Sequence, residues 1–448
     1  MLKHFDNTIV AFNWLMDKEK ISIFWFRRDL RLDDNHGLNQ ALQGDFPVLP
    51  IFIFDENITD ELDEGDARIT FIYDQLSKIS TKLQNNNSSL YCKKGTPAHV
   101  WGSILDEFSI QDVYINEDYE PYARKRDEML KQLLLTKGIE IRVFKDQVIF
   151  AKNDILKNDG TPYTIFTPYK NKWIAKLEAN ESILNQSKTN EANFAKMAFN
   201  FPSLKELGFK RSAIKVHAYN LDHLDNYNEV RNFPALNQTS YLSPHLRFGT
   251  VSIRKIVKQM ATNQVFLSEL IWREFFMQIL YHFKEVVHSN FRSKYDHIEW
   301  RNNAAEFECW KNGTTGFPMV DAGMRELNAT GYMHNRVRMV VAGFLCKHLL
   351  IDWRWGEAYF AKKLLDYELS SNNGNWQWAA GTGCDAAPYF RVFNPTTQIK
   401  KFDPEMTYIN KWIPELNALT YPAPIVDHKT ARERAIAAYK RGIQLSMS

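Results

Sequence analysis

Three stretches of this chain gather side chains able to hold a flat, charged ligand. In SELIWREFF (268–276), helical spacing would put Glu269, Trp272, Arg273 and Phe276 on one face. A core face does not normally mix a carboxylate, a guanidinium and an indole, because buried charge is costly unless paired. An indole among hydrogen-bonding charges suits a heterocycle in a pocket; a core tryptophan with solvated charges around it accounts for the pattern equally well. The second stretch joins TGYMHNRVRM (330–339) to LLDYELSSNNGNWQWAA (364–380). Asn335, Arg338 and Met339 share a helical stripe, and Asp366 is a ready partner for Arg338. A paired arginine beside a ring system would stabilise negative charge developing there. Asn372 and Asn373 stand just before Trp376 and Trp378, which would face different surroundings if the segment is not helical. In TSYLSPHLRFG (239–249), Thr239, Ser240 and Ser243 lie beside backbone that turns into a helix near Pro244. Hydroxyls and free N–H groups at a helix start can hold phosphate, although read alone the stretch is more simply a cap and turn.

Conventional catalytic machinery is missing. There is no HExxH, GxSxG, GxGxxG or GxxxxGK[ST] motif, and the 12 histidines show no metal-ligand spacing. The four cysteines (Cys92, Cys309, Cys346, Cys384) are widely separated, which argues against a disulfide framework or zinc site and fits a reducing cytoplasm. Aromatics make up 14% of the chain, and eight of the 12 tryptophans fall between Trp272 and Trp412, a bias that packing alone does not explain. A region rich in Trp, Asn and Arg but poor in acid–base groups points to a cofactor that carries the hard chemistry. The net charge of +3 permits a nucleic-acid partner without requiring one.

The elements that must position these residues fall into two kinds. At 448 residues the chain has the length of two domains. Strand-like runs at 21–26, 48–54, 89–94, 112–116 and 139–144 alternate with helical patterns at 66–84, 97–108 and 120–137. That alternation predicts an α/β domain over 21–150 with a parallel, Rossmann-like sheet. Residues 151–215 are polar and weakly periodic and read as a linker carrying a helix or two. From 216 to 448 strands vanish, and helical segments follow at 250–262, 266–288, 318–329, 335–350, 355–369 and 430–445. Residues 1–20 precede the first strand as an extension in which Met16 could itself be a start. No stretch has the length of a membrane span, and no signal-peptide layout is present.

Taken together, these stretches closely resemble the photolyase/cryptochrome family, most of all the class I photolyases of cyclobutane pyrimidine dimers. The likeness runs from FWFRRDLRLDDN (24–35) through VYINEDYEPYARKRD (113–127) to PIVDHKTAR (424–432), and includes NNGNWQWAAGTGCDAAPYFRVFNPTTQ (372–398). It implies an antenna-binding α/β domain and a helical domain holding a folded FAD. By motif match, Tyr227, Thr239, Ser240, Tyr241, Leu242, Ser243 and Phe266 would hold FAD. Arg338 and Asp366 would form the salt bridge beside its isoalloxazine, with Tyr367 and Glu368 along the ring edge and Asn372 facing N5 to stabilise the reduced flavin. Trp376, Trp353 and Trp300 fall where the family has its electron-transfer chain. Glu269, Trp272, Asn335, Met339 and Trp378 match the lesion pocket, and Arg231, Arg273, Arg336 and Gln398 match DNA-contacting positions, with Lys400 and Lys401 as phosphate neighbours.

The resemblance implies a soluble monomer that flips the damaged dinucleotide of UV-damaged DNA into a cavity, as base-flipping enzymes do. Trp272 and Trp378 would wedge the dimer while Glu269 stabilises its radical anion. Arg336 stands where a (6-4) photolyase carries histidine, and Trp378 where DASH-type cryptochromes carry tyrosine, which moves the expectation toward dimer repair. A cryptochrome-like photosensor with the same FAD is the alternative, and a light-independent flavoprotein a weaker one. For the antenna, Glu120 in DYEPYA (118–123) favours methenyltetrahydrofolate slightly over deazaflavin or flavin.

Overall fold

The computed structural model describes residues 19–185 and 189–447, so the expectation for the first 18 residues falls outside the described ones. The five apolar runs form strands β1 (Ile21–Phe26), β2 (Val48–Asp55), β3 (Tyr91–Gly95), β4 (Ile110–Asn116) and β5 (Glu140–Phe144). They make one parallel sheet in the order β3-β2-β1-β4-β5. β1 and β2 are buried along their whole length, which is why they read as continuous rather than alternating apolar runs. Helices α1 (His36–Leu42), α2 (Ala67–Gln84), α3 (Pro97–Glu107) and α4 (Pro121–Leu135) connect the strands. Asn35 and Asp66 cap α1 and α2, and a proline opens α3 and α4.

The described chain divides into two compact units. One comprises 19–149, 184–185, 189–212 and 248–256; the other comprises 150–183, 213–247 and 257–447. The stretch expected as a single linker is therefore shared between them. Helix α5 (Phe166–Glu178) belongs to the second unit and buries Phe166, Tyr169, Trp173 and Leu177, spaced three or four apart. Beyond it the chain returns to the sheet unit, where Ala195 N–H donates to the Val48 carbonyl at 2.9 Å and the Asn193 amide donates to the Leu42 and Gly44 carbonyls.

The second unit is helical. Its principal helices are α6 (Leu242–Arg247), α7 (Gln264–His282), α8 (Ala304–Asn312), α9 (Pro318–Thr330), α10 (Asn335–Gly343), α11 (Trp353–Lys363), α12 (Leu369–Ala380), α13 (Pro395–Phe402) and α14 (His428–Leu445). The segment expected as one helix over 335–350 widens into a π turn, Phe344–His348, in which the buried Lys347 donates to the Ala380 carbonyl at the end of α12. Trp310, Trp353 and Trp376 sit in the main helical core. Close helix contact needs glycine at two points: a Cβ on Gly356 of α11 would lie 2.1 Å from the Trp376 ring, and one on Gly374 of α12 would lie 2.2 Å from Phe276 of α7. No described helix is long and apolar enough to cross a membrane.

Candidate functional site

A cavity of about 480 Å³ opens within the helical unit, a size suited to a cofactor. One wall comes from the loop before α6 and that helix's first residues, where Thr239, Ser240, Tyr241, Leu242 and Ser243 line it. Tyr241 is held at φ 50°, a strained conformation for a bulky side chain of the kind found at ligand clamps. Tyr227 and Phe266 line it beside one another, their rings edge to face at 5.1 Å. From α7 come Glu269 and Arg273; from α10, Asn335, Arg338 and Met339. The opposite wall carries Asp366, Tyr367 and Glu368, then Asn372, Trp376 and Trp378 of α12. All the FAD contacts expected from the motifs thus line one cavity.

Three ion pairs lie in the cavity lining. Arg338 Nη2 meets Asp366 Oδ2 at 2.9 Å, and the same oxygen accepts from Ser243 Oγ at 2.7 Å. Asp366 Oδ1 is buried and has no hydrogen-bond partner among the described residues. That acceptor, next to hydroxyls and a paired guanidinium, fits a ring system presenting an N–H, and the isoalloxazine imide is such a group. Arg273 pairs with Glu368 at 3.1 Å, and Arg231 with Glu269 at 2.8 Å. Asn372 is buried, and its Nδ2 donates to Glu357 Oε1 at 2.8 Å and to the Glu357 carbonyl at 3.1 Å. Burial raises the Glu357 carboxyl above its ordinary pKa. At the other end Glu269 is half-buried and Asn335 and Asn375 are exposed, so the cavity grades from a buried floor to an open rim.

Several predicted residues stand elsewhere. Trp272 does not line the cavity; its ring stacks face to face on Phe166 at 3.7 Å. The expected common face of α7 therefore splits, with Glu269 and Arg273 toward the cavity and Phe276 against Gly374. Trp376 and Trp378 do diverge, but within a helix rather than outside one: α12 buries Trp376 and leaves Trp378 half-exposed. Arg336 lies over the Phe402 ring at 4.4 Å and donates to Asn232 Oδ1. Gln398 is half-buried on α13, and Lys400 and Lys401 are exposed there. Trp353 is fully buried with its indole N–H on Asn290, and half-buried Trp300 meets Tyr439 edge to face at 5.8 Å. Glu120, in the sheet unit, pairs with Arg28 at 3.1 Å. Lining residues the motifs did not single out include Arg247, Glu326, Tyr332 and His334. Burial raises the Glu326 carboxyl, and a lone Glu in a helical pattern carries no signal of that.

His334 caps α10, its Nδ1 accepting from Arg336 N–H at 3.2 Å. Only an unprotonated imidazole can do this. Burial, reinforced by Arg336 and Arg338, pushes its pKa down from 6.5 to about 4. The folded value lies below the unfolded one, so this contribution to stability is complete above 6.5 and is lost as pH falls toward 4. Melting temperature is expected to fall across that window, with His348, pushed down to about 3 by burial, adding to the drop. His334→Ala should shrink the drop while costing about 1 kcal/mol at neutral pH through loss of the cap. A wild-type melting temperature that stays flat from neutral pH to pH 4 would count against it.

A family model described as DNA photolyase matches residues 22–189, and one described as the FAD binding domain of DNA photolyase matches residues 266–420. A deoxyribodipyrimidine photo-lyase of Halobacterium salinarum is 36% identical over 481 residues, covering 94% of this chain and 99% of that one. Among solved structures, a bacterial class III photolyase from Agrobacterium tumefaciens superposes with a TM-score of 0.84 at 33% identity, over 96% of this chain and 98% of that one. An archaeal photolyase from Sulfolobus tokodaii, solved with two FAD molecules, gives 0.79 at 35% identity, over 94% and 99% of the two chains. With both of its units matched and the cavity lying in the second, this chain belongs to the photolyase/cryptochrome family and carries the family's FAD-binding domain.

Proposed function

We propose that this protein is a deoxyribodipyrimidine photolyase that repairs cyclobutane pyrimidine dimers in DNA by light-driven electron transfer. The observation that supports it best is one cavity with two ends: a buried floor with the Arg338–Asp366 pair and an unpartnered acceptor, and an open rim with Glu269, Asn335 and Trp378. Bound and reduced, FAD supplies the light-excited electron donor. The protein's part is to hold, orient and exclude. Thr239, Ser240 and Ser243 offer hydroxyls to the phosphates and ribityl chain, and Arg338 with Asp366 fixes the ring. Glu357 takes both hydrogen bonds from the Asn372 amide nitrogen, leaving the amide oxygen for the cavity.

At the rim, Trp378 stacks on the flipped lesion, and Met339 and Asn335 flank it. Glu269 hydrogen-bonds the pyrimidine edge; Arg231 holds its carboxylate at 2.8 Å in the free protein. Arg273 and Arg336 are committed to Glu368 and to Asn232 and Phe402, so they shape the binding face through those partners. Gln398, Lys400 and Lys401 of α13 offer polar contacts to the DNA backbone. Trp376 at the cavity, Trp353 in the core and half-buried Trp300 form a series from inside to outside along which electrons reach the flavin. An antenna chromophore, methenyltetrahydrofolate slightly ahead of deazaflavin or flavin, completes the proposal; chromatography of the released chromophores identifies it.

The test is repair itself: reduced protein with a dimer-containing oligonucleotide, in the dark and under blue light, with dimer loss quantified. Light-dependent loss is expected. Tight binding without repair would point to a cryptochrome-like photosensor, and neither binding nor repair would overturn the proposal. Stacking contributes roughly 1–3 kcal/mol per base, so Trp378→Phe should weaken dimer binding by about tenfold with FAD retained. Unchanged affinity would remove Trp378 from the lesion contact.

A further inference from the structure

We infer that Phe166 is a positioning residue for lesion recognition: it sets the plane of the Trp272 indole and, through Asp385, couples that plane to the helix carrying Trp378. The inference rests on the photolyase reading above. Nothing in the motif comparison singles out Phe166, which lies in the stretch that reads as linker.

The Phe166 and Trp272 rings are parallel within 8°, with centroids 3.7 Å apart. Phe275 meets the indole edge-on at 5.5 Å, and Phe276 leans on it at 5.3 Å. Three rings therefore brace the indole, which still keeps partial exposure. Its neighbours on α7, Glu269 one turn earlier and Arg273 beside it, both line the cavity. Trp272 stands outside the cavity lining, between two residues that belong to it, so a lesion reaching past the rim would meet the indole at the tilt these three rings set.

Phe166 is itself held. It is the first residue of α5, only 7% exposed, and its N–H donates to Asp385 Oδ2 at 3.0 Å. A carboxylate there also complements the positive end of the 13-residue helix. Asp385 follows the C-terminus of α12 in a loop that Arg292 fixes, its N–H bonding the Thr382 carbonyl at 3.1 Å and its guanidinium the Cys384 carbonyl at 2.7 Å. A continuous path of contacts thus leads from Trp378 on α12 through this loop to Asp385, Phe166 and Trp272. The two indoles hold their spacing through that path.

Phe166→Leu keeps the apolar bulk and removes the flat face. It should weaken binding of a dimer-containing oligonucleotide about tenfold, leave affinity for the undamaged sequence and FAD content unchanged, and raise KM for repair rather than lower kcat. Phe166→Tyr, which restores a flat ring, should recover dimer affinity. Wild-type dimer affinity in Phe166→Leu, or an equal loss for damaged and undamaged DNA, would overturn the inference. Should Phe166→Leu fail to hold FAD, Asp385→Asn decides: a severalfold loss of dimer affinity supports the coupling, and none overturns it. Wild type and Trp378→Phe measured alongside keep the two claims apart. A wild type with no preference for dimer DNA defeats the photolyase reading itself. A preference that Trp378→Phe weakens and Phe166→Leu does not touch defeats only the role of Phe166.

Discussion

Arg338→Leu should yield a protein that no longer retains FAD through gel filtration and that melts well below the wild type. The side chain does two jobs at once. Its Nη2 meets Asp366 Oδ2 at 2.9 Å, and its Nε donates to the Met333 carbonyl at 2.8 Å, closing the turn that leads into α10. The Asp366 side chain is only 7% exposed. Removing the guanidinium leaves a carboxylate in that setting with one hydroxyl donor, Ser243, and an oxygen that already lacks a partner. Breaking a fully buried pair from one side costs about 3–5 kcal/mol; with the Arg338 side chain 31% exposed the loss here should be smaller, and much of it falls on the cofactor-holding state. Arg338→Lys keeps the charge but not the two-pronged geometry and should fall between the two. Full flavin occupancy and an unchanged melting temperature in Arg338→Leu would show that the pair is dispensable.

The second large effect concerns light rather than binding. Asn372→Ala is expected to slow accumulation of reduced flavin under blue light by at least about tenfold, equivalent to about 1.4 kcal/mol, with FAD still bound. The amide is buried on α12, and its Nδ2 donates both to the Glu357 carbonyl and to the Glu357 carboxyl. Alanine deletes a neutral polar group of the cavity lining and leaves the Glu357 carboxyl, raised by burial, without the Asn372 donor. Asn372→Asp, by contrast, sets a second carboxyl against Glu357, and its photoreduction should become steeply pH-dependent, fastest where the new pair holds a proton. A wild-type photoreduction rate in Asn372→Ala would remove this residue from redox control.

Local pattern alone determined a good deal about this chain. Continuous β-branched and aromatic runs mark buried parallel strands, and all five lie within about two residues of their expected bounds. Half of the expected α7 face (Glu269 and Arg273), the α10 stripe and the Asn–Trp run of α12 flagged the cavity walls, because residues three or four apart on a helix tend to share a side. The Arg338–Asp366 pairing was legible too, since Asp366 stands as a ready carboxylate partner for Arg338 in the joined stretches.

Only the tertiary structure decided which partner each side chain met. Trp272 sits on the expected helix, yet its ring is taken by Phe166, a residue 106 positions earlier in what reads as linker. Arg336, expected to contact DNA, has Asn232 and Phe402 as its partners in the free protein. Glu326 and His334 became cavity residues with shifted protonation, and Glu357 the anchor of Asn372, through burial that no spacing announces. The linker divided between the two units because a stripe of four apolar residues needs a surface to cover, and the surface available to it is α7. Periodicity is a property of neighbours along the chain and fixes which face a residue takes. What fills that face is set by long-range packing and desolvation, and those exist only once the helices have met.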